Sequence, residues 1–435
     1  MKNYRMIVPV VMAVLMVLSW YMLISETISD KTKYNNYLES ARAYAKDGIS
    51  KYAIQNYEEA LAMKDDPNTY VEIINYYKSQ EEASLYLEWC EAFFENHSTE
   101  PKAYDCILTA YQEEQDYKAV YEVLEAAEKR NIQTETINKI SEELKYMFDI
   151  DYKTYSDVSI FSNNMCAIKK KDYWGFVTQS GSRIQSEAFK SVGDFTNSGL
   201  APVVDMEGNA YFIDTEGYKV KVSKEKYNEF GNITQDIILA QKPNTQYVYL
   251  DMDFKQLFGE FDLGTSFNDG VAAIKNDKKW TLIDTKGKQV NNKTYVDVIR
   301  DDKEIVSRCE RIFVAEKENQ YKLVNTSGKE LSSDTYEDAQ LFLGEQPTAV
   351  NMNGDWFFIT TEGKRISDKT YQDARPFMNG LAAVCINGKW GFVDEKENVV
   401  IEPQFEDAKA FNAKGCCFVK TGSDWQLIKL YRTNS

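Results

Sequence analysis

One β-rich pattern recurs through the last two-thirds of this 435-residue chain at a nearly constant spacing. Its clearest copy runs from Gly380 to Asp394 and continues to Ala408, with Trp390 as its key aromatic residue. Seven other positions are equivalent to Trp390, at gaps of 36, 37, 33, 41, 35, 34 and 35 residues: Trp174, Ala210, Tyr247, Trp280, Tyr321, Trp356 and Trp425. A fixed period of this length predicts a repeat architecture, in which each unit is too small to bury its own apolar face.

Each copy of the pattern reads as a small antiparallel sheet. Alternation in residues 390–394 places Trp390 and Phe392 on one face of a strand. Residues 381–386 read as a preceding strand, and Asn387-Gly388 is a strong signal for a two-residue hairpin between them. We therefore interpret these repeat positions as structural: Trp174, Gly175, Tyr247, Trp280, Tyr321, Trp356, Trp390, Gly391 and Trp425.

The Trp-Gly pairs at 174–175 and 390–391, with the phrases N-G-K-W-G-F-V-D and F-E-D-A around the second, resemble the WG-repeat family. The resemblance covers about residues 152–431 and weakens in the middle, where Trp280 is followed by Thr281 instead of glycine. It implies a bacterial repeat module without an assigned catalytic site.

The two ends of the repeat region suggest how it closes. The region begins at Tyr155 with the second half of a repeat and finishes at residues 425–430 with the first strand of one. Two half-repeats that complete one shared sheet predict a propeller-like ring of about eight units. An open β-solenoid is the alternative.

Residues 31–150 have apolar residues at helical spacing instead. The first part resembles a tetratricopeptide repeat, with small residues where helices would cross and aromatic residues around them: Tyr37, Ala41, Tyr44, Ala53, Tyr57 and Ala60. The resemblance implies helix pairs stacked into a short superhelix whose concave face binds peptides or partner domains. A stalk that holds the β repeats at a distance is the other interpretation.

The start of the chain predicts a membrane anchor. Residues 6–24 carry no charge over 19 positions, with Lys2 and Arg5 before them and Glu26 and Asp30 after them. This length suits a transmembrane helix, and the charges predict a cytoplasmic N-terminus with the bulk of the chain outside. A cleaved signal peptide is the alternative. The predicted fold is thus multidomain, α then β: cytoplasmic tip and anchor at 1–30, helical repeats at 31–150, and an all-β repeat domain at 151–435.

Composition narrows the function. A net charge of −17 argues against a nucleic-acid partner, and a single histidine, His97, leaves no standard zinc site. The acidic residues that recur four places after a key position, Asp214, Asp251, Asp284 and Asp394, fit turn-forming aspartates better than paired catalytic carboxylates. We expect no cofactor, no metal and no enzymatic activity.

These features together predict a membrane-anchored extracytoplasmic scaffold. Its partners would be proteins, bound through the helical and β repeats, in addition to the membrane reached by the N-terminal helix. A cell-envelope glycan-binding module is the alternative, with cell-wall glycan as its ligand.

Overall fold

The computed structural model describes residues 30–301 and 304–431, without the side chains of residues 185–187. The chain divides into two compact parts that meet between Lys145 and Tyr146. We call the described residues before this boundary the helical region and those after it the β region.

The helical region contains seven helices within the described residues. They are α1 (30–46), α2 (Ser50–Met63), α3 (Pro67–Ser79), α4 (Ala83–Asn96), α5 (Pro101–Glu113), α6 (Tyr117–Lys129) and α7 (Glu135–Glu143). Proline opens α3 and α5 at the first helical position, where its missing N–H is not needed. Successive helices pack against each other from α2 to α6.

The tetratricopeptide-like positions fall mostly in the core of this region. Ala41, Ala53 and Ala60 are fully buried, and Tyr57 is almost so. Small side chains at these points let neighbouring helices approach closely. Tyr37 packs against the same core from its edge, whereas Tyr44 lies outside it and is exposed.

The β region consists of short strands. In chain order they are β1 (Phe148–Tyr155), β2 (Asp157–Val158), β3 (Met165–Lys170), β4 (Tyr173–Thr178), β5 (Arg183–Val192), β6 (Leu200–Asp205), β7 (Ala210–Asp214), β8 (Lys219–Lys221), β9 (Glu229–Phe230), β10 (Ile238–Gln241), β11 (Tyr247–Leu250), β12 (Gln256–Phe261), β13 (Leu263–Gly264), β14 (Val271–Asn276), β15 (Lys279–Asp284), β16 (Asp297–Val298), β17 (Arg311–Ala315), β18 (Tyr321–Asn325), β19 (Asp338–Ala339), β20 (Thr348–Met352), β21 (Asp355–Ile359), β22 (Asp373–Ala374), β23 (Leu381–Ile386), β24 (Lys389–Asp394), β25 (Val399–Phe405), β26 (Asp407–Ala408), β27 (Cys416–Thr421) and β28 (Asp424–Leu430).

These strands form eight sheet units, each opened by a two-residue stretch that we call its leading strand. The leading strands are β2, residues 191–192 of β5, β9, β13, β16, β19, β22 and β26. The residue after each leading strand donates its backbone N–H to the following strand at 2.8 to 3.0 Å: Ser159 to Ala167, Gly193 to Pro202, Gly231 to Leu239, Thr265 to Ala273, Ile299 to Phe313, Gln340 to Ala349, Arg375 to Ala383 and Lys409 to Phe418. Units 1 and 2 share β5 and so form one seven-stranded sheet.

The eighth unit is completed by the strand that begins the β region. β1 pairs antiparallel with β28, and Tyr155 lies opposite Trp425. Phe405 holds the same place opposite Trp390 within unit 7. The two ends of the β region therefore meet in one sheet, as expected for a ring and not for an open solenoid.

Apolar clusters join successive units around this ring. Within the described residues, one cluster lies between each unit and the next, and each draws side chains from both. The cluster of Tyr155, Val158, Phe418 and Trp425 joins unit 8 to unit 1. Because no unit has a core of its own, burial in each depends on both neighbours.

The fold class predicted from the sequence needs one correction, since the structure does not support an N-terminal transmembrane helix. In residues 30–301 and 304–431, no helix is both long enough and apolar enough to cross a membrane. The described helices α2 to α7 have 9 to 14 residues, whereas a span needs about 20 apolar ones. The predicted segment, residues 6–24, lies outside the described residues, and the location of the chain stays a prediction.

Loss of the Tyr155 side chain should weaken ring closure. Tyr155 is 2% exposed and Tyr152 on the same strand is 85% exposed. We expect Tyr155→Ala to lower the free energy of unfolding by about 3–5 kcal/mol, the usual cost of truncating a buried aromatic residue. Tyr152→Ala, the matched control, should change it by less than about 0.5 kcal/mol. Denaturant titration followed by tryptophan fluorescence measures both, and equal effects would contradict a closure role for Tyr155.

Candidate functional site

The repeat aromatics are built into the sheets. Trp280, Tyr321, Trp356, Trp390 and Trp425 are each less than one-tenth exposed, and Trp174 and Tyr247 are half-buried. Each lies opposite a second aromatic residue on the outer side of its unit: Trp174 with Phe189, Tyr247 with Phe261, Trp280 with Tyr295, Tyr321 with Tyr336, Trp356 with Tyr371, Trp390 with Phe405 and Trp425 with Tyr155. These side chains hold the ring together and do not form an exposed binding platform.

Cations from beyond the leading strands cover three of these rings. The Arg375 guanidinium lies 4.3 Å from the centre of the Trp390 ring, and Lys409 Nζ lies 5.0 Å from that of Trp425. Arg300, two residues after the leading strand of unit 5, lies 4.8 Å from the centre of the Trp280 ring of unit 4. Such contacts are worth about 0.5–1 kcal/mol at exposed sites. These cations form a charged layer over the tryptophan side chains.

Carboxylates at the leading strands form part of that layer. Arg375 pairs with Asp373 of its own unit at 3.0 Å and with Asp407 of the next unit at 3.5 Å. Partial desolvation raises the pKa of Asp338, although its side chain is still exposed. The backbone N–H of Ala339 lowers this pKa, and the carboxylates of Asp373 and Asp297 in the two neighbouring units raise it. The two contacts of Arg375 show that the leading strands of units 7 and 8 lie near one another.

The recurring aspartates close turns, as the sequence analysis predicted. Oδ1 of each accepts backbone N–H groups two and four residues later, at 2.9 to 3.0 Å for Asp214 and 2.8 to 2.9 Å for Asp394. Asp251 and Asp284 make the same pair of bonds. One oxygen of each carboxylate thus accepts two backbone N–H groups, the arrangement of an Asx-type turn.

The histidine and a buried cysteine of the helical region also have surroundings that do not suit catalysis. His97 Nε2 lies 3.0 Å from Asp65 Oδ1, and its ring packs against Tyr70 and Phe93. Burial raises the pKa of the Cys90 thiol to about 12, which disfavours the nucleophilic thiolate. No cluster of three or more His, Cys, Asp or Glu residues suited to a metal ion occurs within the described parts of the chain.

The helical region presents an open groove that the sequence analysis did not identify. We call it the α2–α4 groove: a cavity of about 490 Å³ whose apolar lining is Ile54, Tyr76, Tyr77 and Leu85. Of these lining residues Leu85 is the most exposed, at 36%. In sequence, Ile54 lies outside the Ala53–Tyr57–Ala60 packing stripe, and that offset was the available signal.

A closed ring of eight β-sheet units, with aromatic residues shared between them, is therefore the class of fold to which the β region belongs. Within it, residues 258–280, 356–390 and 390–425 match the family model of the WG containing repeat. The tetratricopeptide likeness of the helical region stays a prediction. No curated protein matches the sequence.

Solved structures of similar fold match at low identity. The computationally designed Ika8 protein is 10% identical, with a TM-score of 0.41 over 65% of this chain and 98% of that one. BamB from Moraxella catarrhalis is 10% identical, with a TM-score of 0.39 over 66% and 98%. The WD40 β-propeller domain of Doa1 is 13% identical, with a TM-score of 0.31 over 56% and 93%. Scores this low carry no functional argument.

Replacing the carboxyl group of Asp338 should stabilise the ring at neutral pH. A raised pKa in the folded state means that stability falls as the pH rises through that pKa, because ionised Asp338 is disfavoured. Asp338→Asn keeps an acceptor for Ala339 N–H. We expect its midpoint of thermal unfolding to exceed that of the parent at pH 7 and to match it at pH 3.

The control for this experiment is Asp407→Asn at the equivalent position of unit 8. Asp407 accepts the N–H of Ala408 at 2.8 Å, just as Asp338 accepts that of Ala339, but it also pairs with Arg375. This variant should show no gain at pH 7. A gain in both variants would mean that general reduction of negative charge, and not the crowding of Asp338, sets the effect.

The Trp-Gly pair has a steric basis that mutation can test. A Cβ on Gly391 would lie 2.5 Å from Ile401 O and 2.7 Å from Pro403 N, both backbone atoms of β25. We expect Gly391→Ala to lower the free energy of unfolding by about 1–3 kcal/mol, the range for overpacking. Gly344→Ala is the control, because its Cβ would meet only Met378 Sδ at 4.0 Å. Equal stability of the two variants would remove the steric explanation.

Proposed function

We propose that the protein is a non-catalytic interaction scaffold whose helical region binds a basic, partly apolar protein segment in the α2–α4 groove. The proposal is carried by the open α2–α4 groove itself, which is lined by the side chains of Ile54, Tyr77 and Leu85. Contiguous apolar surface of this kind marks interaction sites on soluble proteins. In the β region, by contrast, the repeat aromatics are used for packing.

Charge defines the chemistry of the partner. Residues 32–150 contain 24 acidic and 12 basic side chains, a balance of −12. Glu58 and Glu82 line the groove beside a single lysine, Lys51. A segment with Lys or Arg next to apolar side chains would be attracted by the carboxylates and would bury its apolar groups against Ile54 and Leu85. Because neighbouring helices supply the walls, a short peptide segment suits the groove better than a flat protein surface.

Two further observations support a scaffold over the other classes. A glycan-binding module of the repeat type needs exposed aromatic faces at the repeat period, and here the periodic aromatics are buried or half-buried. The exposed tyrosines of the β region, Tyr152, Tyr173 and Tyr218, do not occupy equivalent repeat positions. The recurring aspartates argue against an enzyme, because they accept backbone hydrogen bonds in turns.

Selection from a random peptide display library tests the proposal directly. We expect the enriched peptides to combine Lys or Arg with Leu, Ile, Phe or Trp, and to bind less tightly at high salt because charge attraction is screened. Leu85→Lys should weaken their binding at least about tenfold, equivalent to about 1.4 kcal/mol, by placing a cation in the groove. Fluorescence anisotropy with a labelled peptide measures this change.

Met63→Lys is the matched control for Leu85→Lys. Both residues are apolar, lie on helices of the helical region and are 36% exposed, but only Leu85 lines the groove. Peptides that lose affinity for both variants equally would be bound by general charge, and peptides that bind Leu85→Lys unchanged would place the site elsewhere.

A further inference from the structure

A second cavity, of about 150 Å³, lies in the β region where the leading strands of units 2, 3 and 4 approach one another. The residue after the leading strand is Gly193 in unit 2 and Gly231 in unit 3, and both line the cavity. Units 4 to 8 carry larger side chains at this position: Thr265, Ile299, Gln340, Arg375 and Lys409. Two consecutive glycine units therefore open a space that side chains occupy elsewhere around the ring.

Two fully buried polar groups line this cavity without a hydrogen-bond partner. Asn232 is 2% exposed; its Oδ1 accepts the backbone N–H of Asp194 at 2.9 Å, and this bond leaves Nδ2 as the free donor. Ser266 is 1% exposed, and its Oγ has no partner. A buried donor left unsatisfied costs about 1–3 kcal/mol, so these atoms favour a polar occupant of the cavity.

The close approach of these groups depends on the glycines. A Cβ on Gly231 would lie 2.6 Å from Ser266 Oγ, and one on Gly193 would lie 2.5 Å from Asn232 Oδ1. Any other residue at either position would displace the polar atom that it meets. The glycines therefore both open the cavity and keep Asn232 and Ser266 in place.

Two carboxylates, those of Glu229 and Glu304, also line this cavity. Glu229 accepts a hydrogen bond from Tyr247 Oη at 2.9 Å, and Glu304 pairs with Arg300 Nε at 2.9 Å. Burial raises the pKa of Glu304, Arg300 opposes this change, and the carboxylates of Asp301 and Glu229 add to it. The Glu304 side chain is half-exposed, so it stands at the opening. One guanidinium faces two carboxylates, and the opening therefore attracts a cation.

We propose that this cavity binds a small vicinal amino alcohol. Its ammonium group would lie between Glu229 and Glu304, and its hydroxyl oxygen would accept from Asn232 Nδ2 while bonding Ser266 Oγ. One water needs roughly 10–15 Å³ of such space, so the cavity holds roughly ten waters and has room for a hexosamine or an ethanolamine group. This site is separate from the α2–α4 groove and does not depend on the proposed function.

Calorimetric titration of the full chain with four probes tests the proposal. The probes are ethanolamine and D-glucosamine, each paired with a neutral analogue that lacks the amine, ethylene glycol and D-glucose. We expect at least one amine to bind at least about tenfold more tightly than its analogue, since hydrogen bonds to charged groups contribute about 1.5–3 kcal/mol. Tighter glucosamine binding would assign an amino sugar, and tighter ethanolamine binding a lipid-headgroup type of ligand. If neither amine is preferred, the cavity holds only water and the proposal fails.

Two variants locate the binding. Glu229→Gln should weaken the amine about tenfold and reduce the dependence of its affinity on salt, because a charged partner is lost. Ser266→Ala should weaken it several-fold while leaving the fold intact, since an unpartnered hydroxyl is removed. Thermal unfolding and circular dichroism confirm that each variant is folded.

Ser159→Ala and Asp157→Asn are the matched controls in unit 1. Ser159 is 1% exposed and its Oγ also lacks a partner, but it does not line the cavity. Asp157 holds the place in leading strand β2 that Glu229 holds in β9. Neither change should alter amine binding, and a loss equal to that of Ser266→Ala or Glu229→Gln would overturn the assignment.

Discussion

The pairing of Tyr155 with Trp425 is the contact on which the β region depends. Every apolar cluster of the ring is shared by two successive units, so a unit that lacks a neighbour leaves half of a core in water. An open row of such units would have two of these faces and two unpaired strand edges. Pairing β1 with β28 covers both apolar faces and pairs both strand edges. Each unit of the ring then packs against a neighbour on both sides.

The sequence predicted those features that follow from short-range patterns. The period of the key aromatics, the hairpin at Asn387-Gly388 and the turn bonds of Asp394 each depend on residues close together in the chain, and local physics fixes them. The shared eighth unit was also predictable from the sequence, because the half-repeats at the two ends of the β region complement each other. The transmembrane helix was inferred from the uncharged stretch of residues 6–24 and the charges that flank it. That stretch lies outside the described residues, and no helix among the described residues could cross a membrane.

The candidate sites were not predictable in the same way. The α2–α4 groove needs Leu85 of one helix pair to lie near Ile54 of another, which no spacing within a single helix reveals. The cavity in the β region depends on what is missing at Gly193 and Gly231, and a glycine in a strand signals a turn or a close approach without saying what comes near it. Both sites arise where packing brings distant segments together.

One position in each unit shows how a ring of similar repeats can contain a site that the other repeats lack. After each leading strand, the fold uses only the backbone N–H of the next residue, which bonds the following strand in all eight units. The side chain at that position is therefore free to vary, and it does so from Gly231 to Ile299 to Arg375. Arginine there covers a tryptophan and binds two aspartates, whereas glycine opens a polar cavity. Because this backbone hydrogen bond forms whatever the side chain is, substitutions at the residue after a leading strand can create a site without changing the strand register that closes the ring.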